Sequence, residues 1–219
     1  MLLEVDKSLE TKFPSLSALV MRLKGAKVRP EDPGLEAFKG EVIERIRARW
    51  ALEQLREHPV FRAYRDFFWR VGVDPTKTRP ASEALIRRVL RGRPLPRINT
   101  FVDAYNLASM EAAVPLAAFD MAWLSGDLLM REAEAGEEFL GIGMKKPVVL
   151  DGGEVVVEDG EKLVAIYPYR DAEVAKITVD SEDILMLVCG VPNVGSEVLG
   201  QAERISSEYV TRFCGGSIA

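Results

Sequence analysis

The run Ile98-Asn99-Thr100-Phe101-Val102-Asp103-Ala104-Tyr105-Asn106, with Pro115-Leu116-Ala117-Ala118-Phe119-Asp120 shortly downstream, decides how this 219-residue chain is read. Val102, Tyr105 and Ser109 recur at helical spacing, predicting a helix over Ile98–Ala113 that stops before Pro115. Asn99, Asp103 and Asn106 follow at steps of four and three, so they share one face of that helix. Short polar side chains so placed either line a cleft or form a buried network that anchors the helix. The network is the reading adopted for Asp103, and Asn106 stays open between the two.

Upstream of this run the pattern is mostly helical. In the first segment, Leu2–Val28, Leu19, Met21 and Leu23 alternate with Val20, Arg22 and Lys24, as in a half-buried strand. Leu35, Phe38, Val42, Ile46 and Trp50 then mark one face of a helix over Pro33–Glu57. Phe61, Tyr64, Phe67 and Phe68 form the buried stripe of a second, Val60–Val71, ending at Gly72. A third runs from near Pro80 to Gly92 and buries Leu85, Val89 and Leu90. Downstream, Leu128–Arg131, Glu154–Glu158 and Leu163–Pro168 are short β-prone runs. Ile184–Val191, apolar on both faces, predicts a buried central strand, and Val194–Phe213 a last helix. Helices early and strands late, without βα alternation, indicate an α+β fold with N-terminal helices packed on a mostly antiparallel or mixed sheet. Residues 1–219 are read as one domain, with 1–60 as an N-terminal extension.

Composition narrows the function classes. A chain that is 47% hydrophobic and 29% charged is globular, not disordered or collagenous. The apolar run Ile184–Val191 is too short to cross a bilayer, and Met1-Leu2-Leu3 is followed at once by Glu4 and Asp6, so a cytoplasmic protein without a leader is expected. Two distant cysteines, Cys189 and Cys214, and a single histidine, His58, give neither a disulfide framework nor a zinc site. His58, before Pro59, is read as a C-terminal helix cation or cap rather than a catalytic base. A metal site on Asp120, Asp127, Asp171 or Asp183 has no ligand spacing behind it and ranks last. No cofactor or metal is expected.

The net charge of −5 conceals a strong asymmetry. Residues 1–100 hold 21 Lys+Arg and 13 Asp+Glu, whereas residues 101–219 hold 8 and 21. Arg45 to Arg97 alone contains 14 Lys+Arg against 5 Asp+Glu, with Trp50, Phe61, Tyr64, Phe67, Phe68 and Trp69 among them. Arginines contact phosphates and aromatic rings stack on splayed bases, so the mixture suits RNA. The bland alternatives are neutralisation against the acidic half and aromatics used in the core. Lys77, Arg79, Arg87, Arg88, Arg91, Arg93 and Arg97 are the candidate RNA contacts.

With these residues in view, the helix run and the Pro115–Asp120 run resemble the tRNA-editing domain of the phenylalanyl-tRNA synthetase beta chain. Arg131-Glu132-Ala133 and Gly136-Glu137 fit the same domain. Tyr64-Arg65, Lys77, Arg79-Pro80, Glu83-Ala84-Leu85 and Arg87-Arg88 resemble its free-standing B3/B4 branch. The resemblance covers about residues 61–191. It implies an α+β editing-type fold, tRNA or aminoacyl-tRNA as partner, and hydrolysis of misacylated tRNA in trans. No DNA partner and no membrane association are expected.

Carried over by position, the resemblance gives a pocket of Asn106, Tyr105, Ala117 and Leu187, and the shared helix face adds Asn99 as a candidate. The family's asparagine is matched by Asn106. Its threonine is replaced by Tyr105, its histidine by Ala117, and the glutamate that reads a tyrosine hydroxyl falls on Leu187. A buried phenol without an acceptor costs about 1–3 kcal/mol, so tyrosine-specific editing is not expected. The alternative function is a non-catalytic binding module for a small ligand or a protein partner.

Overall fold

Ile184–Val191 has no polar side chain with which to meet water, and its strand, β10 (Asp183–Cys189), lies inside a four-stranded sheet. In the computed structural model, which describes residues 3–219, that sheet has the order β11-β2-β10-β3 and is wholly antiparallel. Its other strands are β2 (Ala18–Lys24), β3 (Leu116–Asp120) and β11 (Ser217–Ile218). Met1 and Leu2, on which part of the leader expectation rests, lie outside the described residues.

A second sheet, β1-β4-β7-β8-β9, is mixed, because β1 (Leu3–Val5) joins β4 (Leu128–Glu132) in parallel and the remaining pairs are antiparallel. It continues through β7 (Val155–Glu158), β8 (Leu163–Ile166) and β9 (Arg170–Asp171). Asp159 shapes the β7–β8 turn by accepting from the backbone N–H groups of Glu161 and Lys162. A small hairpin, β5 (Glu138–Phe139) with β6 (Val148–Val149), stands apart. The helices are α1 (Lys7–Lys12), α2 (Pro33–Arg49), α3 (Pro59–Arg70), α4 (Ala81–Leu90), α5 (Thr100–Ala112) and α6 (Ser196–Cys214). The fold is α+β.

Register explains the layering. Met186 pairs with Met21 on one side and Ala118 on the other, so these three side chains share a face of the sheet. Ser207 of α6 reaches the Met21 sulfur at 3.2 Å, so α6 covers that face, and α5 packs along α6. Phe38 of α2 then closes on Tyr209 and Phe213 of α6, with ring centroids 4.8 and 5.3 Å apart.

Two sequence expectations need correction. The helix expected to reach Glu57 ends at Arg49, and Trp50 is already extended. The chain turns there because the indole packs under α3, 4.8 Å from His58 and 5.3 Å from Phe61 between ring centres. His58 is accordingly not a C-terminal cation. It occupies the position before the first turn of α3, makes no side-chain cap, and has its imidazole pulled below the ordinary value by burial and by Arg49.

Helices α3 and α4 are tied by a buried carboxylate. Glu83 has no exposed side-chain surface. It accepts a two-point contact from Arg65 at 2.7 and 2.9 Å and a third bond from Arg87 at 2.6 Å. Burial raises this carboxyl, but the two guanidiniums outweigh it and hold it below the ordinary value. Its contribution is present above the unfolded value and is lost as pH falls. Glu83→Ala is expected to destabilise the protein by about 2–3 kcal/mol, since both arginines retain access to water. Urea unfolding at pH 7 and pH 4 checks this, with the difference between variant and parent shrinking at the lower pH.

Candidate functional site

Helix α5 begins where Asn99 accepts from the Val102 N–H at 2.9 Å, and its polar face is then divided between two roles. Asn99 also donates to the carbonyl of Ile177 at 3.1 Å. Asp103 takes the ammonium of Lys39 at 2.7 Å and the N–H of Ile98 at 3.0 Å. These two residues anchor α5 to α2 and to the loop before β10. Asn106 is different: it is half-buried, and its amide makes no hydrogen bond among the described residues.

Tyr105, one residue earlier, points to the seam where the two sheets meet. The residue is half-buried, and its hydroxyl also makes no hydrogen bond among the described residues. Burial, with Asp171, Cys189 and Asp103 nearby, raises its phenol well above the ordinary value. Asp171 ends β9, after a turn that contains the cis Tyr167–Pro168 peptide. It accepts one long bond, 3.3 Å, from the N–H of Ala118 at the free edge of β3. Burial pushes its carboxyl up to about 7, against the opposing pull of Ala118 and Arg170. The thiol of Cys189 is raised as well, by burial first and then by Asp171.

Ala117 and Leu187 face each other across β3 and β10, and Cys189 follows Leu187 on the same side of its strand. The pocket residues Tyr105, Ala117 and Leu187 therefore converge on Asp171 and Cys189, whereas Asn99 stands apart at the start of α5. Leu187 itself requires correction: it has no solvent exposure, so it belongs to the core and not to a ligand wall. The missing glutamate at that position does not leave the region without an acceptor, since Asp171 provides one. Sequence reasoning named Asp171 only as a last-ranked metal ligand. Asp171 lies just beyond the β-prone run Leu163–Pro168, and nothing in the adjoining residues discloses its burial.

The basic segment is not absorbed by the acidic half. Among the described residues of Arg45–Arg97, Arg45 alone forms an ion pair with an acid beyond residue 100, Glu111 at 2.5 Å. Arg97 pairs with Glu36 at 2.7 Å and Lys77 approaches Asp74 at 3.9 Å. The remaining five, Arg79, Arg87, Arg88, Arg91 and Arg93, border one surface groove beside α4. Helix α4 abuts α5, with the Ser82 hydroxyl donating to the Ala113 carbonyl at 3.2 Å. Phe61, Tyr64, Phe67 and Phe68 are buried and unavailable for stacking, while Trp69 is 58% exposed.

The raised Asp171 value has a thermodynamic consequence. Its folded value lies above the roughly 3.9 of an unfolded aspartate, so the folded state keeps a proton across the interval between them. Stability is full below the unfolded value and declines as pH rises from about 4 to about 7. Asp171→Asn should be more stable than the parent by about 1–2 kcal/mol at pH 8 and similar to it at pH 4, allowing for partial exposure. Thermal melts across that range check it.

Comparison with known proteins places this geometry in context. The model of the B3/4 domain family matches residues 63–216. Among curated proteins, the phenylalanine–tRNA ligase beta subunit of Chromobacterium violaceum is 34% identical over 103 residues, covering 47% of this chain and 13% of that protein. The corresponding subunit of Symbiobacterium thermophilum is 29% identical over 128 residues, covering 58% and 14%. The chain therefore corresponds to a small part of these relatives. A crystallised N-terminal fragment of the phenylalanyl-tRNA synthetase beta subunit from Pyrococcus horikoshii shares the fold with a TM-score of 0.53 at 12% identity, covering 99% of this chain and 50% of that one.

Proposed function

The chain belongs to the B3/4 domain family, and from that premise we propose that it binds the aminoacylated end of a tRNA and hydrolyses the ester in trans. One observation carries this reading: a carboxyl pushed up to about 7 at Asp171 with the half-buried Tyr105 phenol near it, on a helix whose next residue, the half-buried Asn106, makes no side-chain hydrogen bond among the described residues. A general base works best when its pKa lies near the working pH.

The chemistry needs little else. Ionised Asp171 takes a proton from water as the oxygen attacks the ester carbonyl carbon. The Asn106 amide donates to the carbonyl oxygen as negative charge gathers there. Collapse of the tetrahedral intermediate breaks the bond to the ribose oxygen, which leaves with the proton returned by Asp171. The free amino acid and the ribose hydroxyl are the products. Tyr105 borders the acyl group, and Ala117 stands where the resembling synthetase domain has a histidine. Altered residues at both positions support an amino acid preference other than tyrosine alone.

Purified protein is expected to deacylate at least one member of a panel of mischarged tRNAs, with a rate that rises through pH 7 and levels above it. Asn106→Ala should slow the reaction roughly 10²-fold and Asp171→Asn roughly 10²–10⁴-fold, the range for loss of one stabilising donor and of a general base. A panel left intact at high protein concentration removes the enzymatic reading. The family membership with a non-catalytic binding role would then stand, a role favoured by the closed packing of Ala117 and Leu187.

A further inference from the structure

Helix α4 borders a groove that the hydrolytic reading does not use. It is lined by Ala84, Leu85, Pro96 and five arginines, and its volume is about 270 Å³. Arg87 is already held by Glu83 at 2.6 Å. The other four arginines face no carboxylate among the described residues. Arg88 donates through Nε to the carbonyl of Pro94, which fixes its direction without neutralising it. The Nε of Arg79 is buried with no partner. Arg91 and Arg93 are exposed, and their side chains make no hydrogen bond or ion pair among the described residues. The carboxyl end of a helix offers the equivalent of about half a negative charge, far too little to offset four cations.

We propose that this groove binds a terminal phosphate monoester of a nucleotide, such as the 5′ end of an RNA. A monoester carries about −1.5 to −2 charges at neutral pH, more than a backbone diester, and offers three acceptor oxygens. Planar guanidinium forks match those oxygens in pairs, and the arginines line a single groove instead of an extended track. The space is small beside the roughly 300–1,000 Å³ of pockets that enclose whole drug-sized ligands, so it suits one phosphate and its sugar. Leu85 and Pro96 give that sugar or its base an apolar bed. The phosphate assignment stands on the groove alone, and only its attribution to a tRNA end rests on the function proposed above. In a paired acceptor stem the 5′ phosphate lies at the same end of the helix from which the 3′ aminoacyl strand extends. Helix α4 in turn packs beside α5, which carries Tyr105 and Asn106.

Three probes test the site by fluorescence anisotropy and competition: an uncharged hairpin RNA with a 5′ phosphate, the same hairpin with a 5′ hydroxyl, and a nucleoside 5′-monophosphate. The phosphorylated hairpin is expected to bind roughly tenfold more tightly than its hydroxyl counterpart. Arg91→Ala with Arg93→Ala should erase the difference, whereas Arg91→Lys with Arg93→Lys, which keeps charge but loses the fork, should restore part of it. Lys145→Ala with Lys146→Ala removes equal charge from exposed positions elsewhere and should leave the preference intact. A monophosphate that binds, without any preference between hairpins, supports the site and assigns it to a free nucleotide. Equal affinity for both hairpins with no monophosphate binding overturns the proposal. None of the probes carries an ester, so the outcome is independent of whether the protein hydrolyses aminoacyl-tRNA.

Discussion

A strand without polar side chains, buried on both faces, obliges the rest of the molecule to supply a layer on each side. From Ile184 to Cys189, β10 imposes that condition. It also creates a second demand where it leaves the sheet, because the carbonyls of Cys189 and Gly190 still need donors. Two tyrosines meet it from different parts of the chain. The Tyr64 hydroxyl of α3 donates to Cys189 and the Tyr167 hydroxyl beyond β8 donates to Gly190, each at 2.6 Å. Helix, central strand and second sheet are thereby fixed at one point. Asp171 lies four residues beyond Tyr167, and Tyr105 reaches the same seam from α5. The candidate site is where those constraints intersect.

Much of this was legible in the residues. The central strand and the α3 stripe of Phe61, Tyr64, Phe67 and Phe68 follow from periodicity, which acts over a few residues. Asp103 shows the same local logic, since a short carboxylate in the first turn of a helix has backbone to hold. What the residues concealed depends on distant partners. Nothing near Trp50 announces that its indole lies under α3, so the helical period continued past the true end at Arg49. Leu187 looked like a replaced pocket residue because alignment compares positions, whereas solvent access depends on the strands to either side. Asp171 owes its raised carboxyl to burial by segments remote in sequence, and no local pattern encodes that.

Several residues that carry the family resemblance turn out to be structural. Glu83 binds Arg65 and Arg87, and Arg131 holds Glu137 at 2.7 Å while also contacting Glu158. The first knot joins α3 to α4, and the second reinforces the pairing of β4 with β7 and ties down the loop before β5. Arginine thus has two roles in this chain. Where a carboxylate is buried, it neutralises and fixes; beside α4, where no carboxylate faces it, it remains available to an anion.

The unneutralised arginines beside α4 have a consequence in time as well as in space. Five of them border one groove and only Arg87 is held by a carboxylate, so the field there is locally positive even though the net charge is −5. A polyanion approaching that groove is drawn in over the screening length of about 8 Å at physiological salt, whereas the net charge repels it elsewhere. Encounters are thereby sorted by orientation before any contact forms. The protein need not search all relative poses, because its own field rejects most of them in transit.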